Sequence, residues 1–343
     1  MNFCIGRNSV PLIYSGKLMG FDSIPLPPRM LRFQFEDPDY DPTTVTSWTP
    51  IPGSLFYRDR NITWKAGSYW VKVQGCSENR WDWYCDDPDW QLAFDFAFSD
   101  EENKVQVIAG NTDGITNMKG LFRGCRVLTS VCMLDTSDVT DMDLMFAECR
   151  KLESIPFFDT SNVTTMWATF YECFEITSVP LFNTSKVTTM RWMFEGCRSL
   201  PTVPLFDTSR VTHTDEMFSG CHTLTSVPLF DTSNVTNMWG MFRDCDALTT
   251  VPLFDTHEVE YMTYMLFNCT SLTSIPLFAT ESVIDMSYMC VRCVNVAGGA
   301  LALYQQASSQ QYPPSRHDAT FRNCGTNTAA GRADLLGIPQ DWQ

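Results

Sequence analysis

The stretch FSGCHTLTSVPLFDTSNVTNM, Phe218–Met238, returns with little change every 24 residues along most of the chain. Its cysteine keeps the count: Cys125, Cys149, Cys173, Cys197, Cys221, Cys245, Cys269 and Cys293 follow one another at a constant interval of 24. Three residues before the cysteine stands Phe in Phe122, Phe146, Phe170, Phe194, Phe218 and Phe242, and three after it stands Leu or Ile, from Leu128 to Leu272. Val or Ile comes six after it, from Val131 to Ile275. The unit is M-x-x-M-F-x-x-C-x-x-L-T-S-V-P-L-F-D-T-S-x-V-T.

A fixed period of roughly 20–29 residues with a Leu/Val/Leu strand core predicts one short strand and one helical or 3-10 segment per coil. A single coil cannot bury its apolar face, so neighbours stack into a continuous core. The pattern places the strand on T-S-V-P-L and a helical turn on T-x-M-x-x-M-F. Pro156 to Pro276 removes a ladder donor from six consecutive coils, so the sheet is expected to be narrow. The fold class is therefore an α/β repeat, a leucine-rich-repeat solenoid of 24-residue coils preceded by a small β module.

The Phe-x-x-Cys-x-x-Leu-x-x-Val/Ile-Pro-Leu core and the following Phe-Asp-Thr-Ser-x-Val-Thr-x-Met segment, as in Phe218 to Leu229 and Phe230 to Met238, resemble the BspA-like leucine-rich repeats of bacterial and phage surface proteins. The resemblance implies a display scaffold rather than a type of reaction.

The solenoid spans 119–293. Val107, Asn111, Thr112, Ile115 and Met118 keep the repeat phase ahead of it, and Phe98 holds the Phe column with Glu101 in place of Cys, so 89–118 is an opening cap. Phe321 and Cys324 restore the pattern after an interval of 31, with Ala300 to Tyr304 expected to form a short helix inside a C-terminal cap over 294–343. Before the repeats, alternation at Leu31–Phe35, Asn61–Trp64 and Tyr69–Val73 predicts strands of a β module over 29–88. Residues 1–28 carry two apolar pieces, Val10–Tyr14 and Leu18–Ile24, split around Ser15 and Gly16. They predict a hairpin or extended attachment arm, with Ile13, Tyr14, Leu18 and Phe21 as its contact residues.

The 343 residues carry 40 acidic against 24 basic side chains, a net charge of −16. Such a surface repels phosphate backbones and anionic lipids, which argues against nucleic acid as a partner. No run is apolar enough for a secretory signal or a membrane span, so folding in a cytosol is expected, without membrane insertion. The arm around Ile13–Lys17 resembles N-terminal pieces on virion proteins of phages that infect gut Bacteroidales. A phage protein is assembled in host cytoplasm and becomes external on lysis, which reconciles display repeats with cytosolic folding. The expectation is thus a virion protein acting as fibre or decoration, oligomeric in its assembly, with other virion proteins as partners and a host-surface protein or glycan as target. The rivals are an extracellular bacterial adhesin and a glycan depolymerase.

Little in the chain suggests catalysis. Equivalent cysteines of stacked coils run parallel, which misaligns the vectors a disulfide needs, so the column is expected to be inert core. Cys290-Val-Arg-Cys293 is a lone C-x-x-C with Cys290 filling the Phe column. Asp135, Asp159, Asp207, Asp231 and Asp255 form a column interrupted by Asn183 and Ala279. Such a column either holds calcium or caps the local Asp-Thr-Ser turn through the N–H two residues on; no cofactor beyond that calcium is implied. His213, His222, His257 and His317 have no spacing that pairs them with a nucleophile, so no enzyme is expected. Five and six positions before the cysteine the residue type varies, and there stand Trp167, Trp192, Trp239, Tyr264 and Tyr288. They are candidate surface contacts, or else an outer layer over the Met columns.

Overall fold

The computed structural model describes residues 115–343 and, before them, the backbone of six strands. β1 (Leu12–Tyr14) and β2 (Lys17–Met19) form an antiparallel hairpin with Ile13 opposite Leu18. β3 (Met30–Phe35), β4 (Leu55–Arg58), β5 (Ser68–Lys72), β6 (Val105–Gly110) and β7 (Leu128–Val131) make one five-stranded sheet in the order β4-β5-β3-β6-β7. All pairings are antiparallel except β6 with β7, which is parallel and sets Val107 against Val131, one repeat period away. The β module therefore shares its sheet with the opening cap and the first coil. β4 carried no strand signal strong enough to notice in the sequence, and Asn61–Trp64 lies outside the described residues.

From residue 115 the chain is a leucine-rich-repeat solenoid. Two phenylalanine ladders run through its core. Phe122, Phe146, Phe170, Phe194, Phe218 and Phe242 stack with ring centroids 5.3–5.7 Å apart. Phe182, Phe206, Phe230 and Phe254, nine residues after each cysteine, stack at 6.3–6.4 Å. The coils consequently fan slightly towards this second edge. Cys, Leu, Val and Met columns fill the space between and are buried, Val179 alone of the strand valines only partly so. A threonine column, absent from the expected core, is buried with them: Thr136, Thr160, Thr184, Thr208, Thr232 and Thr256 each donate from Oγ1 to the carbonyl 23 residues on, at 2.7–2.9 Å. A buried hydroxyl needs such a partner, and here the partner belongs to the next coil.

The predicted strand and helical turn are both corrected. Only β7, whose coil has Cys132 where later coils have Pro, is a strand on the T-S-V column; beyond it the proline lacks the N–H that a ladder requires. The parallel bridges sit instead 16 residues after the cysteine position, linking Asn117, Asp141 and Thr165, then Thr189, His213, Asn237, Tyr261 and Asp285, the last of which pairs with Arg316 of the cap. The M-x-x-M-F segment is not helical. Its N–H groups alternate between a turn bond to the carbonyl three residues back, as in Met217 to Thr214, and a bond to the next coil, as in Phe218 to Met241. That alternation needs left-handed backbone five and one positions before every cysteine: Gly220 fits it freely, whereas Trp192 (φ 57°), Glu216 (φ 49°) and Tyr264 (φ 59°) carry a side chain there. Each such residue costs on the order of 1 kcal/mol, offset by the hydrogen bonds between coils.

The C-terminal cap contains the expected helix, α1 (Ala300–Ser308), and a second, α2 (Ala329–Leu336), capped by Thr328 Oγ1 accepting from the Gly331 N–H. Gly299 turns into α1 with φ 99°; a Cβ there would lie 2.1 Å from the Ile275 carbonyl oxygen, so only glycine fits.

Candidate functional site

Among the described residues, two repeated apolar features lie at the surface. The first is the residue eight after each cysteine: Met133, Phe157, Leu181, Leu205, Leu229, Leu253 and Leu277. The sequence pattern put this leucine in the strand core, and the structure puts it outside, 51–61% exposed from Phe157 to Leu277. The cause is local alternation. In Val-Pro-Leu-Phe-Asp-Thr the chain is extended, so Phe230 and Thr232 point inward while Leu229 and Asp231 between them point outward. The stripe therefore runs beside the aspartate column. Each carboxylate accepts the N–H two residues on, at 3.0 Å for Asp135 and Asp159 and 3.1 Å for Asp207 and Asp231. The hydrogen bonds from Ser161 and Ser209 hold Asp159 and Asp207 below the ordinary carboxylate range.

The second feature is the aromatic set on the turn face. All five named residues are half-buried, and they fall into two clusters. Trp167 lies 5.6 Å from Trp192, which also meets Tyr171 at 6.5 Å. Tyr264 stacks on Tyr288 at 4.9 Å and meets Trp239 and Phe267 edge-on at 6.2 and 5.4 Å. Tyr171 and Phe267, two before the cysteine, belong to these clusters and were missed. The 24-residue period brings positions in adjacent coils together, so any aromatics in neighbouring coils within a few columns had to meet.

Between the clusters, Glu172, Glu195 and Glu216 climb through consecutive coils. Arg150 pairs with Glu172 at 2.7 Å and Arg191 with the buried Asp215 at 2.5 Å. Burial, then the neighbouring Glu216, pushes Glu195 up to about 8; burial also raises Glu216, against the opposing pull of Arg243. These groups brace the turn face.

The thiols of the cysteine column from Cys149 to Cys293 form no disulfide and are buried. Each from Cys149 to Cys293 donates to the carbonyl 27 residues back, at 2.9–3.2 Å. Burial pushes them well above the ordinary thiol range, which removes nucleophilic character. Among the described residues no group of three His, Cys, Asp or Glu is placed to hold a metal ion. His222 pairs with Asp246 at 2.8 Å and His317 stacks on Trp342 at 4.2 Å. Of the attachment-arm residues, Ile13, Tyr14 and Leu18 lie in the β1–β2 hairpin, and Phe21 lies outside the described residues.

A parallel stack of 24-residue coils with Leu, Val, Phe and Cys columns defines a leucine-rich-repeat protein. Within that class the chain belongs to the family described as "Mycoplasma protein of unknown function, DUF285", whose model matches residues 92–203 and 199–300. Solved structures with the same type of fold include a T. pallidum leucine-rich-repeat protein, 22% identical over 49% of this chain and 77% of that one with a TM-score of 0.36. A leucine-rich-repeat protein from Eubacterium ventriosum is 20% identical over 50% of this chain and 54% of that one, TM-score 0.36. The plant peptide hormone receptor RGFR1, solved in complex with RGF2, is 12% identical over 55% and 31%, TM-score 0.28. No curated protein matches the chain.

Proposed function

We propose that this protein is a non-enzymatic interaction scaffold whose leucine stripe docks a segment of a partner protein presenting aliphatic residues flanked by Lys or Arg. The observation that carries this is the exposed apolar column repeated in seven successive coils, from Met133 to Leu277. Isolated surface leucines are ordinary, but a contiguous apolar stripe marks a contact surface. The chemistry of the occupant follows from the neighbouring aspartate column, where Asp159 and Asp207 are held below the ordinary carboxylate range, and from the net charge of −16. A basic partner is steered towards such a surface and an acidic one is repelled. Selection of random peptides by ribosome display on the full chain tests this. Enrichment of peptides that combine Leu, Ile or Val with Lys or Arg is the expected result; enrichment of acidic or purely polar peptides, or none at all, contradicts it.

A narrower reading places the scaffold on a phage particle, with residues 1–28 as attachment arm, other virion proteins as partners, and the solenoid facing a host-surface protein or glycan. What favours it is the β1–β2 hairpin, a two-stranded sheet of its own. Such a unit is marginal alone and gains from lying against a further surface. Mass spectrometry of purified virions against host envelope fractions decides between this location and a bacterial cell surface. Deleting residues 1–27 is expected to leave the solenoid folded but absent from particles; unchanged incorporation contradicts an attachment role.

A further inference from the structure

The leucine stripe does not end flat. At its C-terminal end Leu253 and Leu277 wall an open cleft of about 460 Å³, closed from beneath by Phe254 and Ala279 and at the far side by Gln306 of α1. Departures from the repeat create it. Ala279 stands where other coils carry Asp or Asn, which empties one position on the rail, and His257 and Glu281 stand where serine recurs. The His257 ring bridges the carboxylates of two adjacent coils, with Nδ1 2.7 Å from Asp255 Oδ1 and Nε2 3.3 Å from Glu281 Oε1. A planar ring with one nitrogen facing each carboxylate thus already occupies the place between them.

We propose that this cleft anchors an arginine side chain of the docked segment, its methylenes against Leu253, Leu277 and Ala279 and its guanidinium replacing the His257 ring between Asp255 and Glu281. The proposal rests on the docking reading of the stripe. Guanidinium suits the place because it is planar, permanently charged and able to offer paired donors to carboxylates, while its aliphatic stem covers apolar surface. Lysine brings only a point charge. Gln306 is the group that α1 contributes, and it is neutral; its Nε2 is engaged with the Phe278 carbonyl at 2.8 Å. The charged groups facing His257 are Asp255, Glu281 and Glu258.

Displacement makes the anchor pH-dependent. The hydrogen bond to Asp255, then the charge of Glu281, raises the pKa of His257 in the unbound protein. Once arginine holds the carboxylates, the imidazole loses both partners and releases its proton. Arginine affinity therefore rises as pH increases through the raised value, and protonated His257 competes below it.

The full chain with n-butylguanidinium as probe and n-butylurea as its neutral counterpart tests the anchor. Saturation transfer to the butyl protons and the ring signals of the four histidines are the readouts. Saturable binding of the cation alone is expected, moving the one histidine signal that disappears in His257→Gln. Asp255→Asn and Glu281→Gln are each expected to weaken it about threefold to fivefold, the scale of an exposed ion pair. His257→Gln is expected to abolish the rise of cation binding with pH, because the competing imidazolium is gone. Equal binding of butylurea, indifference to Asp255→Asn and Glu281→Gln, or no saturable transfer overturns the proposal. If display-selected peptides still depend on Leu205 and Leu229 while the cleft takes no cation, the anchor is wrong and the docking face stands.

Discussion

The leucine column and the aromatic columns are both apolar and both lie at the surface, yet they are opposites. The leucine column is apolar in every coil, with Met133 and Phe157 before five leucines, and stays more than half exposed from Phe157 to Leu277. Trp167, Trp192, Trp239, Tyr264 and Tyr288 change from coil to coil and are half-buried in two clusters. Repetition therefore marks what the backbone holds in register, not what is inside. Whether a repeated residue faces in or out is set by the two-residue alternation of the extended chain around it.

The sharpest way to break that contrast is to compare one column inside with one outside. Phe218→Ala removes a ring stacked between Phe194 and Phe242. It is expected to cost about 3–5 kcal/mol in urea unfolding; a loss near zero would mean the ladder does not hold the coils. Trp192→Ala, which loses its contacts with Trp167 and Tyr171, is expected to cost about 1–2 kcal/mol. Trp192→Gly should cost less than the alanine change, because glycine relaxes the φ of 57°. If the two variants lose equally, the turn geometry is not as described.

The turn face carries a pH-dependent share of the stability. Glu195 is raised from its ordinary 4.5 to about 8, so its uncharged form is the one the fold favours. That contribution is fully present below about 4.5 and is lost as pH rises through about 8. Glu195→Gln is expected to flatten the decline of thermal stability across this window and to raise the melting temperature most at its alkaline end. An unchanged slope would show that the carboxyl is solvated. The smallest effect belongs to the leucine column: Leu229→Ser is expected to change stability by no more than about 0.5 kcal/mol, as at other exposed positions. A loss of several times that would return the stripe to the core.

The fold was legible because a constant interval of 24 between cysteines leaves a stacked solenoid as the economical way to bury Phe, Leu and Val columns together. The narrow sheet was legible from proline, and the α1 helix from Ala300 to Tyr304. The turn geometry was hidden. Met-x-x-Met-Phe has helical spacing, and what prevents a helix is hydrogen bonding to the coil 24 residues away, as between Phe218 and Met241. The buried threonines were hidden for the same reason, since Thr232 is satisfied by the Asp255 carbonyl of the next coil. The exposed leucine was available in the sequence: Phe230 is the larger apolar residue beside it, and both cannot face the core in an extended chain. The cleft at His257 was hidden because it arises from three small departures and a cap helix rather than from a motif.

The most direct test of the account is to give the full chain the double change Leu205→Asp and Leu229→Asp, then measure its urea unfolding together with its binding of the display-selected peptides. The account predicts an unfolding midpoint close to that of the unaltered chain and peptide binding lost. Unfolded protein would show that these leucines belong to the core, and a folded protein that still binds the peptides would show that the docking face lies elsewhere.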